Sequence, residues 1–340
     1  MVVRLAVIGC GAWGINHVRA ATKLKNAELA VVCDASPKAR EKALQAAPLA
    51  RAVETAEQVF ADASIDAVII ASPAPSHASL SLAALQANKH VLVEKPFVLH
   101  PREGGPIVAE AEKRGRTLMV GHLLRYHSYF RRLEQMVKSG ELGRVYYAYA
   151  ERVNLGTVRA DENAFWSLAP HDVSMMCALM SAEPVEVTAV GHGYLRPGVE
   201  DVVFATIRFA DDTLGKIHVS WLDPQKRRRM TVVGSKKMAV FDDMEPTEKL
   251  RIYDKGVNMP EGGTVGFDQF LAVREGDIYV PAIRMAEPLN AEQQHFVDCI
   301  NEKKTPETDG KEALRVSRCL LAAAESLKNG SKPIRLDQMP

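Results

Sequence analysis

The sequence predicts an α/β protein of two domains, in which a parallel sheet flanked by helices precedes a region of antiparallel sheet. Its 340 residues suggest two domains, since a domain usually takes roughly 100–200 residues. Over the first third of the chain, short apolar runs alternate with Ala-rich helical stretches, as in βαβ units. Beyond residue 121 the apolar runs follow one another with only turns between them, which is typical of antiparallel strands.

The first predicted domain covers residues 1–121. We expect strands at residues 4–9, 29–33, 67–71, 90–93 and 117–120. Helical spacing of apolar residues predicts helices at 15–24, 37–47 and 79–87. Because these strands are almost wholly apolar, helices should cover both faces of a parallel sheet.

The second predicted domain covers residues 122–340. We expect strands at 144–153, 186–194, 202–209, 214–222, 230–234 and 238–241, and helices at 173–180, 290–301 and 311–328. The Gly-rich, polar segment 254–281 is predicted to be a loop. The C-terminal helices, within 288–328, are candidates to pack back toward the first domain.

Charge and composition exclude several classes of protein. The 43 basic and 42 acidic residues lack the basic excess of a nucleic-acid-binding protein. No apolar run approaches the roughly 18 residues that a membrane span needs, and we expect a cytoplasmic protein without a membrane partner. Five scattered cysteines without C-x-x-C spacing predict free thiols in a reducing compartment. No His and carboxylate cluster has metal-ligand spacing, so no metal is expected.

A glycine-rich loop follows the first predicted strand and opens the first predicted helix. It reads Gly9-Cys10-Gly11-Ala12-Trp13-Gly14, the Gly-x-Gly-x-x-Gly spacing of a dinucleotide-binding turn. The first glycine of such a turn allows a tight bend, the second lets the backbone approach a pyrophosphate, and the third allows close helix–strand packing. The helix N-terminus adds free N–H donors for the phosphates. The alternative is a glycine turn without a ligand. For Trp13, helix-start packing is as good an explanation as a contact with the cofactor.

The second predicted strand ends at Asp34. This acid lies about 20 residues beyond the glycine loop, the spacing of the residue that binds ribose hydroxyls in such folds. A carboxylate there repels a 2′-phosphate, which favours NAD over NADP. Lys38 and Arg40 lie close in sequence and weaken this preference.

Glu94-Lys95-Pro96 stands at the end of the fourth predicted strand, on the edge where ligands of open α/β sheets bind. Pro96 disfavours helical geometry at Lys95, so the chain must turn there. A lysine fixed in that crevice could hydrogen-bond a substrate hydroxyl and favour its deprotonation. The alternative is a solvated loop lysine.

A second group of candidates is the run Phe165-Trp166-Ser167-Leu168-Ala169-Pro170-His171-Asp172. Pro170 suits a first helical turn, and Asp172 beside it suits a helix N-terminus. His171 at such a start has the titration range that an acid/base group needs. The alternative is a histidine that only caps the helix. We interpret His17, His218 and His295 as ordinary surface or interface residues.

The motifs together resemble one family. In order they are the glycine loop, Asp34, Ala71-Ser72-Pro73-x-x-x-His77, Glu94-Lys95-Pro96, Val120-Gly121-His122-x-x-Arg125-Tyr126 and Ala169-Pro170-His171-Asp172. This order is similar to that of the glucose-fructose oxidoreductase/inositol dehydrogenase/MocA (Gfo/Idh/MocA) family, across nearly the whole chain. The resemblance implies a Rossmann NAD-binding domain, a second domain with an open, mostly antiparallel sheet, and a homodimer or homotetramer.

The resemblance also implies an activity and its residues. Hydride passes between a sugar or cyclitol carbon and the nicotinamide, and Lys95 and His171 act at the reacting hydroxyl. Ser72, Pro73 and His77 would line the path of the cofactor, with Glu94 near the nicotinamide. Many members of the family carry an aspartate four residues before the histidine, where this chain has Ser167. Serine can still hydrogen-bond a sugar, but it adds no charge to raise the pKa of His171, and Asp172 is an alternative orienting group.

Residues 163–172 are similar to those of nucleotide-sugar dehydrogenases that oxidise the C3 hydroxyl of UDP-N-acetylglucosamine or its uronic acid. This resemblance implies a 3-keto product that a pyridoxal-phosphate aminotransferase consumes. Candidate substrate contacts are Lys95, His122, Arg125, Arg159, Trp166, Ser167 and His171, with Arg131 and the basic run 226–229 as further cations for the pyrophosphate. Each arginine could instead be a solvated surface residue. The two alternatives to this function are a cyclitol or free-sugar dehydrogenase and a non-catalytic NAD(H)-binding redox sensor.

Overall fold

The computed structural model describes residues 1–156, 158–159, 162–258 and 272–339. Packing divides the chain into two units, Met1–Tyr126 with Ala286–Arg318 and His127–Met285 with Cys319–Met339. The sequence placed the boundary after residue 121 and all later residues in the second domain, with the C-terminal helices, within 288–328, as candidates to pack back toward the first. In the structure the boundary follows Tyr126, and Ala286–Arg318 belongs to the first unit.

Strands and helices alternate along the first part of the chain. In chain order they are β1 (Val3–Ile8), α1 (Gly14–Ala21), β2 (Ala27–Cys33), α2 (Pro37–Ala46), β3 (Arg51–Val53), α3 (Ala56–Phe60), β4 (Ala67–Ile70), α4 (His77–Gln86), β5 (His90–Glu94), α5 (Pro101–Arg114) and β6 (Leu118–Gly121). The strands form one parallel sheet in the order β3-β2-β1-β4-β5-β6. This is the doubly wound arrangement that the alternating pattern predicts.

Both faces of this parallel sheet are buried. Along β1, Ala6 and Ile8 belong to one apolar cluster, and Leu5 and Val7 belong to the other. The alternation follows from the two-residue period of a strand, which sends successive side chains to opposite faces. Near-continuous apolar strands therefore mark this sheet, as the sequence indicated.

The remaining elements follow in chain order. They are α6 (Ser128–Lys138), β7 (Val145–Val153), α7 (Ala164–Leu179), β8 (Pro184–His192), β9 (Val202–Phe209), β10 (Leu214–Ser220), β11 (Arg227–Gly234), β12 (Met238–Asp242), β13 (Leu250–Tyr253), β14 (Gly256–Asn258), β15 (Ala272–Arg274), β16 (Ile278–Tyr279), α8 (Pro288–Glu302), α9 (Gly310–Lys328) and β17 (Ile334–Arg335). Helix α8 contributes Phe296, Val297 and Ile300 to the second of the two apolar clusters of the first unit. That contribution explains why this segment belongs with the parallel sheet.

The sheet of the second unit has the order β16-β13-β12-β11-β7-β10-β9-β8-β17. Strands β7 and β10 run parallel, and the other neighbours are antiparallel. Helix α7 packs against β7, β9 and β10. The predicted loop 254–281 is wrong in part, because β14, β15 and β16 lie within it; residues 259–271 fall outside the described part of the chain.

The start of α7 also differs from the prediction. The side chain of Asn163 accepts a hydrogen bond from the backbone N–H of Trp166 at 3.0 Å and caps the helix there. The helix therefore begins at Ala164, and Pro170 lies inside it. His171 stands in the middle of the helix, where it has no role as a cap.

Two further expectations concern the cysteines and membrane helices. All five cysteines are buried free thiols, as their spacing indicated. Over the described ranges, none of the helices combines the length and the apolar character needed to cross a membrane.

Candidate active site

The carboxyl edge of the parallel sheet collects the polar motifs of the first unit. The glycine loop follows β1, Asp34 follows β2, Ser72 follows β4, and Glu94 ends β5. His122 follows β6 at the same edge. Ligands of open α/β sheets bind outside this edge, where the strand order reverses. Here the reversal lies between β1 and β4.

The glycine loop has the shape that a dinucleotide requires. Gly9 has φ of 89°, and a Cβ there would lie 2.5 Å from the backbone nitrogen of Ser72. A Cβ on Gly14 would lie 1.9 Å from the carbonyl oxygen of Gly9. A Cβ on Gly11 would meet no atom within 4 Å. Two glycines therefore permit close packing, while Gly11 faces open space that a pyrophosphate can occupy.

Asp34 is fixed beside this loop. Its carboxylate accepts hydrogen bonds from the backbone N–H groups of Cys10, at 2.7 Å, and Ser36, at 2.8 Å. Arg40 donates to the carbonyl oxygens of Asp34 and Ala35, at 2.7 and 3.1 Å. The guanidinium of Arg40 is thus bound to the backbone, and the carboxylate keeps the acceptor capacity that ribose hydroxyls need.

His77 links two loops of the site. Its Nδ1 lies 2.8 Å from the carbonyl oxygen of Pro96, and its Nε2 lies 2.8 Å from that of Ser72. The side chain is 1% exposed, so it has almost no surface with which to line a cofactor path. His77 therefore holds the loop after β4 against the turn after β5, and its place along the cofactor path stays a prediction. Pro73 is exposed and Ser72 is half-buried.

Three hydrogen bonds hold the carboxylate of Glu94. Its Oε1 accepts hydrogen bonds from Trp13 Nε1, at 2.6 Å, and His17 Nε2, at 2.8 Å. Its Oε2 accepts from the backbone N–H of Lys95 at 3.0 Å. Burial raises the pKa of the Glu94 carboxyl, but the hydrogen bond and the charge of His17, the hydrogen bond from Trp13 and the charge of Lys95 together lower the pKa by more. Glu94 is therefore a carboxylate.

The interpretation of His17 as an ordinary surface or interface residue is wrong. Its side chain is fully buried. Gln293 Nε2 lies 2.9 Å from Nδ1 of His17 and 3.3 Å from its carbonyl oxygen. Because this amide nitrogen donates to Nδ1, the Nε2–H of His17 is directed at Glu94. The sequence analysis did not identify Gln293 as part of the site.

Glu292 lies next to Gln293 on α8 and is also fully buried. Its two carboxyl oxygens have no hydrogen-bond partner within the described ranges. Burial and the charges of Glu94 and Glu287 raise the pKa of Glu292 far above its usual range. The two buried carboxyl groups of this region thus differ in protonation state: Glu94 is ionised, and Glu292 is protonated.

Lys95 follows Glu94 directly in the sequence, and its side chain is half-buried.

His122 and Arg125 have buried side chains, 3% and 4% exposed. Arg125 Nη1 lies 3.3 Å from Glu312 Oε1, and His122 Nε2 lies 3.7 Å from Glu312 Oε2. Burial lowers the pKa of His122; the charge of Glu312 opposes this, and Arg125 adds to it. Both side chains lie in the interior, and their contact with the substrate stays a prediction.

The second unit carries the remaining candidates on α7. Ser167 and His171 are one helical turn apart and both half-buried. Residues four apart on a helix share a face, so the serine stands where it can act beside the histidine. Trp166 is half-buried next to Ser167.

Asp172 faces away from this pair. Its carboxylate accepts two hydrogen bonds from the buried Arg152, at 2.6 and 3.0 Å. Asp172 therefore anchors α7 to β7 and does not orient His171. Arg159 is exposed, and its Nη1 lies 3.2 Å from Glu162 Oε1.

Two family descriptions match the chain. "Oxidoreductase family, NAD-binding Rossmann fold" matches residues 3–122, and "GFO/IDH/MocA C-terminal domain" matches residues 130–240. The chain belongs to the Gfo/Idh/MocA oxidoreductase family. It is an NAD-dependent oxidoreductase whose first domain is the NAD-binding domain. Family, fold class and cofactor are thus confirmed.

Similar proteins include the UDP-N-acetylglucosamine 3-dehydrogenase of Acidithiobacillus ferrooxidans, 29% identical over 95% of this chain and 95% of that protein. The scyllo-inositol 2-dehydrogenase (NAD(+)) of Bacillus subtilis is 24% identical over 98% of this chain and 96% of that protein. Among solved structures, UDP-N-acetylglucosamine 3-dehydrogenase from Acidithiobacillus ferrooxidans has a TM-score of 0.81 at 26% identity, covering 98% of this chain and 100% of that one. Family membership therefore leaves the substrate open between nucleotide sugars and cyclitols.

Proposed function

We propose that this Gfo/Idh/MocA member oxidises the C3 hydroxyl of UDP-N-acetylglucosamine, or of its uronic acid, to the 3-keto sugar. The observation that carries the proposal is the full-length similarity to the UDP-N-acetylglucosamine 3-dehydrogenase, 29% identical over 95% of both chains. The full-length scyllo-inositol relative is 24% identical. An inositol 2-dehydrogenase from Saccharopolyspora erythraea reaches 31% over only 64% of this chain.

The proposed roles follow from the resemblance of the motifs to those of the family. Bound NAD⁺ supplies the hydride acceptor. Lys95, at the carboxyl end of β5, binds the reacting hydroxyl and takes part in removing its proton. His171 shares this proton transfer, and Ser167 on the same helix face hydrogen-bonds the sugar. Because Ser167 is neutral, Lys95 carries a larger share of the proton transfer than where an aspartate supports the histidine.

The proposal extends to partners. The 3-keto product is a substrate for a pyridoxal-phosphate aminotransferase, which we place directly after this step. Arg159 and the basic run 226–229 are the proposed cations for the UDP pyrophosphate, since charge-assisted bonds to phosphate are strong. We also propose that the enzyme works as a homodimer or homotetramer.

Turnover on a sugar panel tests the substrate. NADH formation is measured by absorbance with UDP-N-acetylglucosamine, its uronic acid, UDP-glucose and free N-acetylglucosamine. We expect turnover with one of the first two and little with the free sugar. No turnover on any UDP-sugar by protein that binds NAD⁺ would refute the substrate.

Replacing Lys95 tests the proton-transfer role. Lys95→Ala should lower turnover at least about a hundredfold, because general acid/base groups contribute roughly 10²–10⁴. Lys113→Ala is the matched control, since that lysine is exposed on α5, with its Nζ 3.9 Å from Glu110 Oε2. A fully active Lys95→Ala enzyme would remove this residue from the mechanism.

The second candidate is a cyclitol dehydrogenase, which the inositol dehydrogenase relatives favour. Oxidation of myo- or scyllo-inositol, with no binding of UDP-sugars, would establish it in place of the first. Hydride transfer to either class of substrate would exclude a purely redox-sensing role.

A further inference from the structure

We propose that Glu94 is a fixed negative charge that makes the site bind NAD⁺ in preference to NADH, and that His17 is the positioning residue that holds it. The inference concerns the cofactor alone and does not depend on which sugar is oxidised. It assigns a role to a fully buried histidine and to Gln293, neither of which the proposed reaction uses.

Topology places Glu94 on the nicotinamide half of the sheet. A dinucleotide spans the reversal of strand order, here between β1 and β4. Asp34, which suits the adenosine ribose, follows β2 on one side of that reversal. Glu94 ends β5 on the other side. Trp13 belongs to the glycine loop and still reaches Glu94 Oε1 at 2.6 Å, so one side chain connects the pyrophosphate loop to this carboxylate.

The donors around Glu94 stabilise its charge. Trp13 donates an indole N–H, Lys95 donates a backbone N–H, and His17 donates its Nε2–H. Within the described ranges the only ion-pair geometry recorded for this carboxylate is the contact with His17. The Lys95 ammonium acts on it through charge and not through a hydrogen bond. Glu94 itself therefore keeps its negative charge at the end of β5, beside the ammonium group of Lys95.

Such a charge discriminates between the two forms of the cofactor. The nicotinamide ring is positively charged in NAD⁺ and neutral in NADH, and electrostatic interactions are stronger in a partly buried site than in water. A fixed anion nearby stabilises the oxidised form and leaves the reduced form almost unaffected. Product NADH then leaves more readily, and the bound NAD⁺/NADH couple has a lower reduction potential than the free couple.

His17 acts through Glu94. Gln293 donates to Nδ1 and thereby sets the tautomer in which Nε2 carries the proton. Without His17, Glu94 Oε1 keeps only the bond from Trp13, which is itself 44% exposed. The carboxylate would then be less well stabilised and less well ordered.

Glu292 supplies a matched control. It is a second glutamate of the same buried region, and its carboxyl is already protonated. Glu94→Gln removes a charge, whereas Glu292→Gln exchanges one neutral group for another. The same chemical substitution should therefore change cofactor preference at position 94 and not at position 292.

The experiment measures both dissociation constants on the full chain without any sugar. The Kd for NADH comes from its fluorescence, and the Kd for NAD⁺ from competition. Glu94→Gln should lower the ratio Kd(NADH)/Kd(NAD⁺) by about tenfold, which raises the potential of the bound couple by about 30 mV. His17→Leu and Trp13→Phe should lower it in the same direction by roughly threefold, because each removes one of the donors. His17→Gln, which keeps a side-chain N–H, should recover part of the loss.

The controls decide between a charge effect and a packing effect. We expect Glu292→Gln to keep the wild-type ratio within about twofold, an energy difference below about 0.5 kcal/mol. An unchanged ratio in folded Glu94→Gln protein would overturn the proposal, and so would an equal change in Glu292→Gln. Trp13→Phe alters an exposed residue, so it keeps the test decisive if His17→Leu does not fold. Failure of the sugar panel would leave these results unaffected.

Discussion

Gly11 and Gly14 offer a paired test of how the glycine loop works, because their surroundings differ. A Cβ at Gly14 would lie 1.9 Å from the carbonyl oxygen and 2.8 Å from the carbonyl carbon of Gly9. A Cβ at Gly11 would meet nothing within 4 Å. We predict that Gly14→Ala damages the fold, while Gly11→Ala spares the fold and blocks the cofactor.

The expected magnitudes separate the two variants. The obstruction at Gly14 is backbone, so the loop or helix α1 must shift. Overpacking of this kind costs about 1–3 kcal/mol, which lowers the Tm by roughly 2–12 °C at about 2–4 °C per kcal/mol. Gly11→Ala should change the free energy of unfolding by no more than about 0.5 kcal/mol.

The stabilisation that NAD⁺ binding adds should be lost in Gly11→Ala, the variant whose fold is spared. At a hundred times its Kd, NAD⁺ stabilises wild-type protein by about 2.7 kcal/mol. If the added methyl weakens binding about a hundredfold, the same NAD⁺ concentration stabilises Gly11→Ala protein by only about 0.4 kcal/mol. Thermal unfolding with and without NAD⁺ measures both effects. A wild-type NAD⁺ response in Gly11→Ala would show that the pyrophosphate does not lie at this glycine, and a wild-type Tm in Gly14→Ala would contradict the packing argument.

Three further predictions concern charged groups. Asp34→Ala should raise the affinity for NADP⁺ relative to NAD⁺ at least about tenfold, because the carboxylate repels a 2′-phosphate; an unchanged ratio of the two Kd values would contradict this. Asp172→Asn should lower the free energy of unfolding in urea by about 3–5 kcal/mol, since it leaves the buried Arg152 without its carboxylate; a loss below about 1 kcal/mol would refute it. Glu292 has a raised pKa in the folded state, so the unfolded state loses its proton first and stability falls as pH rises above about 4.5. Glu292→Gln should therefore gain stability over wild type, increasingly between about pH 5 and pH 8, and a gain independent of pH would contradict the assignment.

Much of the first domain could be predicted because, in a parallel sheet, the position of a residue along the sequence indicates where it lies in the fold. Each strand of such a sheet ends at the same edge. Polar motifs that follow successive apolar runs must therefore meet there, as Asp34, Ser72 and Glu94 do. The order of motifs along the chain was sufficient for this part of the site.

The elements that were missed have local causes. Strand β3 and helix α3 span only three and five residues, too few for a period to be recognised. Helix α5 carries Gly104, Gly105 and Pro106, which indicate a break in a helix when read alone. In α7, Pro170 suggested a start that Asn163 provides two turns earlier, because a proline is tolerated where tertiary packing fixes the helix.

The misinterpretation of His17 has a different origin, since its partners are distant in sequence. Glu94 lies 77 positions away, and Gln293 lies 276 positions away. Its burial, however, could have been anticipated. His17 stands one turn after Gly14, the glycine needed for close contact between α1 and the sheet, and one turn before the buried Ala21. A polar side chain on that face must find a hydrogen-bond partner, and Glu94 is the carboxylate that the sequence itself places at the end of a neighbouring strand. The motif pattern therefore contained the pair, and what it lacked was Gln293, the residue that decides which nitrogen of His17 carries the proton.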